Sequence, residues 1–450
     1  MTIPSLAVVV LAAGQGTRMK SDLHKVLHPI AGRPMLLHLL ASVAELAPAR
    51  TVVVAGARAE QVEAAVAPLG VQVVLQREQL GTGHAVAQAA EALSCAGDAL
   101  VLYGDVPLVD AATMRRMIAR LHEPDAPAVV VLGFRPADPA AYGRVIADLD
   151  GRIARMVEYK DASEAERAVT LCNSGLMAAR GKDLFRLLAK VGNDNAAGEY
   201  YLPDVVMLAA AEGQASAVIE TGAAEVAGIN SRAELAAVEA AWQDRRRQEA
   251  MAAGASLVAP ETVWFSHDTV LGRDVRVEQH VVFGPGVRVA DGATIRAFSH
   301  LEGADVGAGA EVGPYARLRP GAVLGPASKI GNFVEVKKAV LGVGAKVNHL
   351  SYIGDADVGA NANIGAGTIT CNYDGFFKYR TKIGAGAFVG SNSALVAPVS
   401  IGDGAIVAAG SVVTQDVADD ALVLVRPPQI TKPGWAARFR EAMRARKNSR

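Results

Sequence analysis

The sequence predicts two folds in one chain, an α/β domain followed by a left-handed parallel β-helix of hexapeptide repeats, joined by a long helical arm. Three observations predict this arrangement. Short aliphatic runs alternate with helical patterns over residues 1–230, a capping pattern and a charged run occupy 231–253, and a six-residue repeat fills most of 254–450. Because each segment has its own period, each is interpreted as a separate structural unit.

The aliphatic runs of the first segment predict buried strands. They are Ala7–Leu11, Val52–Ala55, Val71–Leu75, Ala99–Tyr103 and Ala128–Leu132. Apolar residues at helical spacing predict helices between them, for example over Met35–Leu46 and Glu60–Ala67. Continuous Val and Leu runs separated by helices favour a mostly parallel sheet covered on both faces. In such sheets, ligands bind at the carboxyl ends of the strands.

The middle segment predicts the helical arm. Ser231 and Glu234 form a capping-box pattern, and apolar residues follow at helical spacing as far as Trp242. The run Gln243–Glu249 is charged nearly throughout. Together these features predict a solvent-exposed helix of about twenty residues, ending near Gly254.

A six-residue repeat dominates the second half. Of 23 leading residues, 22 are Val, Ile or Leu: Leu271, Val277, Phe283, Val289, Ile295, Leu301, Val306, Val312, Leu318, Leu324, Ile330, Val336, Leu341, Val347, Ile353, Val358, Ile364, Ile383, Val389, Leu395, Ile401, Val407 and Val413. Three hexads make one triangular coil with its leads inward, so about seven to eight coils are expected. Gly often follows the lead and is expected to serve the bends. Thr368–Lys382 interrupts the repeat.

Composition excludes several classes of protein. With 45 Lys plus Arg against 46 Asp plus Glu, the chain has neither the basic footprint of a nucleic-acid binder nor a polybasic membrane anchor. Cys95, Cys172 and Cys371 are odd in number and widely spaced, which argues against a disulfide scaffold and favours a reducing compartment. The sequence contains no CxxC or HExxH pattern, so a structural zinc site is not expected. The apolar start is interpreted as a buried strand, and no segment is expected to span a membrane.

Two features at predicted strand ends suggest phosphate chemistry. The run Leu11–Met19 offers glycines that let backbone N–H groups approach phosphate, and the cations Arg18 and Lys25 lie beside it. It matches neither a dinucleotide fingerprint nor a Walker loop, and a purely structural turn is the alternative. Asp105 ends another strand, where a carboxylate can hold Mg²⁺ against phosphates, although a capping or turn role is more common.

His349 is the candidate base of the second half. It follows shortly after the lead Val347, so its side chain is expected to point outward. No other His lies between Leu301 and the C-terminus. Acyl transfer to an amine needs a base, and a neutral imidazole suits that task.

Motifs in both halves carry a family resemblance. They are Leu11–Lys25, Gln76 with Gly81–Thr82, Tyr103–Asp105, Tyr142–Arg144, Glu158–Lys160, Asn173–Gly175, Gly198–Tyr201, Gly228–Asn230, Arg317–Gly321, Asn332–Lys338, His349–Tyr352 and Ile364–Gly375. In this order they resemble the bacterial bifunctional UDP-N-acetylglucosamine pyrophosphorylases / glucosamine-1-phosphate N-acetyltransferases, over essentially the whole chain. One departure is His24, where sugar nucleotidyltransferases usually have Pro before the Lys.

The resemblance implies a Rossmann-like, mixed-sheet uridylyltransferase domain at 1–230, a linker helix at 231–253 and a β-helix N-acetyltransferase domain at 254–450. It implies acetylation of glucosamine-1-phosphate by acetyl-CoA, then uridylyl transfer from UTP to N-acetylglucosamine-1-phosphate, which feeds peptidoglycan and lipopolysaccharide precursors. Mg²⁺ is the implied cofactor. A cytoplasmic homotrimer, with acyl-CoA bound between prisms, is the implied assembly.

The resemblance also implies roles for single residues. Nucleotide and sugar contacts fall to Leu11, Ala12, Ala13, Gly14, Lys25, Gln76, Gly81, Thr82, Tyr103, Gly104, Asp105, Gly143, Glu158, Asn173 and Asn230. Arg18 and Lys25 would neutralise the phosphates, and Asp105 with Asn230 would bind Mg²⁺. In the second half His349 would be the base. Substrate contacts fall to Arg319, Lys337, Tyr352, Asn363, Asn372 and Tyr373, and acetyl-CoA contacts to Ala366, Ser391, Ala409 and Arg426.

Two alternatives remain open at this point. One is a pyrophosphorylase with a single activity and a regulatory β-helix, which would leave His349–Tyr352 without a purpose. The other is a non-catalytic scaffold of the same two folds. A scaffold predicts degenerate catalytic positions, whereas Arg18, Lys25, Asp105 and His349 are all present.

Overall fold

The computed structural model describes residues 5–93, 97–139, 142–195 and 197–448, so Cys95 lies outside the described residues. The chain separates into two compact units, Met1–Arg246 and Arg247–Arg450. The boundary falls within the long helix of the middle segment.

The first unit is an α/β domain. Its strands are β1 (Leu6–Ala12), β2 (Pro29–Ile30), β3 (Arg33–Pro34), β4 (Arg50–Ala55), β5 (Gln72–Leu75), β6 (Asp98–Tyr103), β7 (Val129–Phe134), β8 (Arg144–Ala147), β9 (Ile153–Val157), β10 (Cys172–Arg180) and β11 (Ser216–Thr221). Its helices are α1 (Met35–Ala44), α2 (Ala59–Val66), α3 (Thr82–Ala87), α4 (Ala111–Arg120), α5 (Glu164–Arg167), α6 (Gly181–Leu188), α7 (Asp204–Ala211) and α8 (Arg232–Ala252), which crosses into the second unit. Short 3₁₀ turns lie at Thr17–Met19, Lys25–Leu27 and Ala67–Leu69.

The main sheet has the strand order β11-β7-β10-β6-β1-β4-β5, with β8 joined to β10 and β9. All five predicted strands are confirmed, with ends shifted by one or two residues. The sheet is mostly parallel, as predicted, because β1, β4, β5, β6, β7 and β11 run the same way. It is mixed because β10, in the middle of this order, runs antiparallel to both β6 and β7. The β8–β9 hairpin precedes β10 and turns the chain round before it enters the sheet.

Burial of the central strands fixes where the loops emerge. Val8, Val9 and Val10 of β1 are completely buried, as are Val52, Val53 and Val54 of β4. β1 and β6 are parallel neighbours with Leu11 opposite Tyr103, so their carboxyl ends open at the same edge of the sheet. The glycine-rich loop and Asp105 both leave from this edge.

Helix α8 is less exposed than the sequence predicts. Its N-terminal cap is the predicted one, since the backbone N–H of Glu234 donates to Ser231 Oγ at 3.2 Å. However, Trp242, Gln243 and Arg247 are buried, although the last two belong to the charged run. The Gln243 amide donates to Glu239, and the Arg247 guanidinium donates to two backbone carbonyls, so these polar groups remain hydrogen-bonded when buried.

The second unit is a left-handed parallel β-helix with three faces. Face 1 contains Ser256–Leu257, Arg276–Val277, Thr294–Ile295, Glu311–Val312, Lys329–Asn332, Lys346–His349, Asn363–Ile364, Phe388–Val389, Ile406–Val407 and Leu422–Val423. Face 2 contains Val282–Phe283, His300–Leu301, Arg317–Leu318, Glu335–Lys337, Tyr352–Gly354, Ile369–Cys371, Ala394–Val396 and Val412–Val413. Face 3 contains Val270–Leu271, Arg288–Val289, Ala304–Val306, Ala322–Leu324, Val340–Leu341, Ala356–Val358, Thr381–Ile383 and Val399–Ile401. A 3₁₀ turn at Pro260–Thr262 follows the first of these strands, Ser256–Leu257, and helix α9 (Trp435–Asn448) follows the last.

The predicted leads form the core of the prism. Every lead except Leu271, which is half-buried in the first coil, is buried, and each stacks on the lead one coil away, as Ile330 does on Val347. One lead is missing from the prediction: Thr370 is buried between Ile353 and Leu395, so the repeat continues to Cys371 and the interruption begins only at Asn372. The signal failed because this lead is polar.

Except for Gly313, whose φ is +97°, the glycines that directly follow leads do not have the left-handed backbone of a bend. A Cβ added at Gly331 would overlap the carbonyl oxygen of Asn348 in the next coil, so glycine is required there for the spacing between coils. The left-handed backbone at the corners falls on other glycines, such as Gly309 and Gly321, and also on larger residues. Phe298, Tyr315 and Phe333 have φ near +55 to +60° and stack their rings at 4.9 and 5.2 Å along the corner between faces 1 and 2.

No helix of the described residues combines the length and the apolar character needed to cross a bilayer. Helix α9 is exposed along its whole described length and carries basic residues at its end.

The buried threonines of the prism make a matched pair for a stability test. Thr370 Oγ1 accepts the backbone N–H of Gly354 at 2.8 Å, whereas Thr381 Oγ1, equally buried, has no hydrogen-bond partner among the described residues. Thr370→Val should lower the free energy of unfolding by about 1–3 kcal/mol, because it strands a buried donor. Thr381→Val should be neutral or stabilising. Denaturant unfolding followed by circular dichroism measures both, and equal effects would contradict the assignment.

Candidate functional sites

The glycine-rich loop packs directly against the lysine that follows it. Gly16 lies after β1 with φ +63°, and a Cβ added there would come within 2.6 Å of Lys25 Cβ. Gly14 has open space around it. Glycine at 16 therefore allows the loop to close over the stem of Lys25, while Gly14 leaves its backbone free to face a ligand.

Lys25 lies between two residues far from it in sequence. Its Nζ is 2.5 Å from Asp105 Oδ2 and 3.1 Å from Asn230 Oδ1. The side chains of Lys25 and Asp105 are only 12% and 19% exposed, so the pair is partly shielded from water. The backbone N–H of Ile229 donates to the carbonyl of Asp105 at 2.9 Å, which holds Asn230 beside it.

Two adjoining cavities meet at this cluster. The first, of about 320 Å³, is lined by Leu11, Ala12, Ala13, Gly14, Lys25, Val26, Gln76, Gln79, Gly81, Thr82, Ala85, Tyr103, Asp105 and Glu199. The second, of about 370 Å³, is lined by Thr82, Tyr103, Asp105, Val106, Tyr142, Gly143, Glu158, Asn173, Ser174, Gly175, Glu199, Tyr201, Pro203, Val226, Gly228 and Asn230. Thr82, Tyr103, Asp105 and Glu199 line both cavities, so two ligands could lie end to end across them.

Most of the residues expected at the first site line one of these cavities. Two do not. Gly104 is buried behind the wall, where an added Cβ would lie 3.2 Å from the carbonyl of Leu11. Arg18 is exposed on the turn Thr17–Met19 and lines neither cavity. The prediction missed Gln79, whose amide donates to the Ala13 carbonyl at 2.9 Å, and Glu199, which follows Gly198 in a quoted motif but received no role.

The second cavity contains a carboxyl with an unusual proton affinity. Burial, with Asp204 and Asp161 nearby, raises the pKa of Glu158. A Cβ added at Gly143 would lie 3.3 Å from the Glu158 carboxylate oxygens, and one at Gly175 would overlap the Tyr103 ring. The glycines of the Tyr142–Arg144 and Asn173–Gly175 motifs thus let polar side chains approach the cavity floor. Asn173 is held by accepting the Gly175 N–H at 2.9 Å.

Asp105 and Asn230 fit a small divalent cation. Their oxygens converge on one point, which the Lys25 ammonium group holds in this structure. Carboxylate and amide oxygens are the ligands that Mg²⁺ takes in proteins, usually one or two with water completing the shell. Over the described ranges, no group of three or more His, Cys, Asp or Glu side chains could form a full protein cage for a metal.

His349 lies at the corner between faces 1 and 2 of the β-helix. It is exposed, as predicted, and its Nδ1 is 2.7 Å from Asn332 Oδ1 one coil away. An open cavity of about 520 Å³ lies on the face 1 side, lined by Arg296, Gly313, Pro314, Lys329, Gly331, Asn332, Lys346, Asn348 and His349. Except for Asn332, which belongs to the motif Asn332–Lys338, sequence reasoning gave these neighbours of His349 no part in a site.

The expected substrate residues divide between two faces. Four of them lie in successive coils on or beside face 2: Arg319, Lys337, Tyr352 and Asn372. Acidic neighbours hold the two cations, since Arg319 contacts Glu335 at 2.8 Å and Lys337 contacts Asp355 at 3.3 Å. Asn363 lies on face 1, beside Lys346.

The loop that follows Asn372 adds one residue to this set. The Asn372 amide donates to Asp355 and to the Tyr352 hydroxyl, while Tyr373 is exposed at the start of the loop. Lys378, missed by the prediction, contacts Lys337, which lowers the pKa of Lys378. Two cations held this close make a good place for a phosphate.

The residues expected to contact acetyl-CoA form a column along the same corner as His349. Ala366, Ser391 and Ala409 follow one another in neighbouring coils. A Cβ added at Gly365 would lie 2.5 Å from the backbone nitrogen of Ser391, and one at Gly390 would lie 2.5 Å from that of Ala409. The Arg426 guanidinium donates to the Ala409 carbonyl at 2.8 Å and closes the column.

Comparison with known proteins identifies the family. A model of MobA-like NTP transferase domains matches residues 8–169, and one of the hexapeptide repeat of succinyl-transferases matches residues 380–415. The bifunctional protein GlmU of Sphingopyxis alaskensis is 70% identical over 443 residues, which is 98% of each chain. Those of Rhizorhabdus wittichii and Zymomonas mobilis are 69% and 58% identical, over 100% and 97% of each chain.

The chain belongs to the GlmU family.

A member of this family is a bifunctional enzyme of UDP-N-acetylglucosamine biosynthesis, with a uridylyltransferase and a hexapeptide-repeat acetyltransferase, and this holds for the present chain. Mg²⁺ is the cofactor of the family, and UTP and acetyl-CoA are its co-substrates. The alternatives of a single-activity pyrophosphorylase and of a non-catalytic scaffold are therefore set aside, since the match to the bifunctional GlmU relatives extends through both units.

A pH test follows from the turn that contains Lys25 in this GlmU-family chain. His28 is buried beside it and accepts from the Arg232 guanidinium at 3.3 Å; burial and then Arg232 lower its pKa from 6.5. Below pH 6.5 His28 binds a proton in the unfolded chain but less readily in the folded chain, where its pKa is lower. The free energy of unfolding should therefore fall as pH decreases. His28→Gln should reduce that fall. Thermal unfolding between pH 8 and 5 measures it, and parallel curves for both proteins would contradict the prediction.

Proposed function

We propose that the two cavities of the first unit hold the two substrates of uridylyl transfer. The nucleotide lies in the cavity lined by Leu11–Gly14, Gln76, Gly81 and Thr82, where backbone N–H groups of the loop can approach phosphate. The N-acetylglucosamine-1-phosphate lies in the cavity with Gly143, Glu158 and Asn173, with Tyr103 forming part of the shared wall and Gly104 buried behind it. The observation that carries this assignment is the cluster of Lys25, Asp105 and Asn230 where the cavities adjoin.

The geometry supports a reaction by positioning and charge neutralisation. The sugar phosphate oxygen attacks the α-phosphorus of UTP, the bond to the pyrophosphate oxygen breaks, and pyrophosphate leaves on the opposite side. No protein nucleophile is required. Lys25 neutralises the phosphates at the junction, and exposed Arg18 adds charge on the outer side of the loop, where pyrophosphate departs.

Asp105 and Asn230 would hold the Mg²⁺ of the family. The ion supplies positive charge that offsets the phosphates and the charge developing on pyrophosphate. Because Lys25 Nζ lies between the same two oxygens, its side chain must turn toward the phosphates when the ion binds.

In the second unit, we assign the base of acetyl transfer to His349. An amide oxygen can only accept a hydrogen bond, so Asn332 Oδ1 requires the proton of the neutral His349 ring to be on Nδ1. This leaves Nε2 of His349 with its lone pair. Nε2 takes the proton from the amine of glucosamine-1-phosphate as nitrogen attacks the thioester carbonyl and the CoA sulfur departs. Arg319, Lys337 and Tyr352, with Asn372 and Tyr373, hold the sugar phosphate, and Lys378 joins them. The column from Ala366 to Arg426 holds acetyl-CoA.

The assembly proposed is a homotrimer. The substrate residues Lys337 and Asn363 lie on adjoining outer faces of one prism, whose outward side chains diverge, so one chain offers an open surface rather than an enclosed site. A second copy packed against the corner that carries His349 would enclose this surface. In a cyclic trimer, the His349 corner of each copy would face one neighbouring copy. We place the enzyme in the cytoplasm, where UTP and acetyl-CoA are made and used and where Cys172 and Cys371, both unpaired here, stay reduced.

A pair of substitutions tests the division of labour. Asp105→Ala should abolish uridylyl transfer and leave acetyl transfer near normal, because it removes an oxygen ligand at the junction of the first unit. His349→Ala should lower acetyl transfer about 10²–10⁴-fold, as loss of a general base does, and leave uridylyl transfer unchanged. The two reactions are assayed separately with the same preparations. If either variant, correctly folded, lost both activities, the assignment of two separate sites would be wrong.

Subunit complementation tests the shared acetyl site. Lys337→Ala and Asn363→Ala should each impair acetyl transfer on their own. If the two side chains serve one site from neighbouring copies, co-expression of both variants should restore roughly a quarter of the sites, because random cyclic trimers contain intact pairs in that share. Co-expression of Lys337→Ala with Arg319→Ala, two residues of the same face, is the matched control and should restore none. Absence of recovery in both mixtures, with trimers confirmed by sedimentation, would place the whole site on one chain.

A further inference from the structure

The turn that presents Lys25 starts from an unusual residue. His24 is 2% exposed, and the 3₁₀ turn Lys25–Leu27 follows it. The backbone N–H of Val26 donates to His24 Nδ1 at 3.4 Å, so the imidazole caps the turn. The backbone of His24 has φ −56° and ψ +139°, and this φ is one that a proline ring would fix by itself.

Helix α2 holds the segment before this turn from the side. The Gln61 amide accepts the backbone N–H of His24 at 2.7 Å and donates to the carbonyl of Asp22 at 3.1 Å. Arg58, at the start of the same helix, donates to the Ser21 carbonyl at 2.8 Å. Three hydrogen bonds from one helix thus fix residues 21–24, and one of the two made by Gln61 acts directly on His24, the residue that caps the turn.

The imidazole is retained at a cost to stability. Burial, then Lys25, Arg58 and His28, lower the pKa of His24, while Glu60 opposes them, so at pH 7 the ring is neutral and its Nδ1 lone pair is available to Val26. The Nε2 atom is buried and has no hydrogen-bond partner within the residues that the structure describes. An unpaired buried polar atom is destabilising, so a residue kept here in spite of it is expected to do more than fill space.

We propose that His24 and Gln61 are positioning residues for Lys25: the cap and the clamp fix the turn that places the Lys25 side chain at the junction of the two cavities. The inference rests on the proposed role of Lys25 in uridylyl transfer. Neither residue lines either of the two cavities described above, so the proposed role needs no contact with substrate. Because Lys25 acts on charge that develops as pyrophosphate leaves, misplacing it should lower kcat more than it raises KM for UTP.

Three variants of the full-length chain test the proposal. His24→Ala removes the cap, and Gln61→Leu removes the clamp while leaving the imidazole in place. Each should lower kcat of uridylyl transfer roughly five- to thirtyfold, the size expected for loss of a cap, with less than a threefold change in KM for UTP. The double variant His24→Pro with Gln61→Leu should recover most of kcat, because the ring sets φ without an N–H that needs a partner.

Two controls use the same protein: its acetyl-transfer activity and a substitution at a histidine away from the turn. Acetyl transfer by the same preparations reports the concentration of intact protein and should stay at the wild-type value. His122→Asn is the matched substitution: His122 pairs with Asp98 at 2.8 Å, at the amino end of β6, and its loss should leave uridylyl transfer unchanged.

Each outcome decides the proposal. Unchanged kcat in both single variants, an effect confined to KM, or a double variant no better than Gln61→Leu would overturn it. If His24→Ala fails to fold, Gln61→Leu and the double variant decide alone. If the wild-type chain itself transferred no uridylyl group, the proposed function would be wrong, and not only the proposal about His24 and Gln61. Asp105→Ala would then have no uridylyl-transfer activity to abolish.

Discussion

The first unit depends on one ammonium group shared by two oxygens. Lys25 comes from the start of the chain, Asp105 from the end of β6 and Asn230 from the residues just before α8, and their side chains meet within hydrogen-bond distance. Without an opposite charge, Asp105 would be a partly buried carboxylate at the junction of two cavities, which is unfavourable. The cluster therefore both closes the sheet edge and defines where the phosphates must lie. The cap at His24 and the clamp at Gln61 matter because they act on this point.

The second unit obeys a different constraint, the spacing between coils. The leads and the glycines beside them are committed to stacking, so the chain can vary only the side chains that point outward and the corners. His349 and Asn332 are at a corner, and the residues assigned to sugar phosphate and coenzyme occupy the outer faces around it. Chemistry on such a scaffold is a surface property, which is why enclosure is assigned to a second copy rather than to a deeper cavity.

The sequence predicts those parts of the fold that have a period. Continuous Val runs predict the central strands, and the hexad predicts the three-faced prism with nearly all of its core. What lacks a period was missed. The direction of β10 depends on which partner it pairs with, and Thr370 is a polar side chain at a core position. The buried face of α8 contains Gln243 and Arg247, and Arg247 donates to carbonyls 14 and 16 residues away.

The candidate sites follow the same rule. The loop Leu11–Gly14 was found because its glycines and nearby cations suggest phosphate binding, and Gly143 was found because its motif carries the family resemblance. Gln79, Lys346 and Lys378 were missed because only the folded chain brings them to a cavity or to another cation. Arg18 shows the reverse case, since its position in a motif predicted a place in the site, whereas its side chain is exposed outside both cavities.

The last turns of α8 have a consequence for the integrity of the β-helix. The Arg247 guanidinium donates to the carbonyls of Glu261 and Val263, and the Ala255 N–H donates to Ala250, so the helix end covers backbone groups of the first coil. A stack of parallel coils otherwise ends in a row of unpaired peptide groups, which invites end-to-end association between prisms. The helix end thus acts as a terminal cap of the solenoid, and a fragment that begins at Gly254 would expose an adhesive edge that the full chain keeps covered.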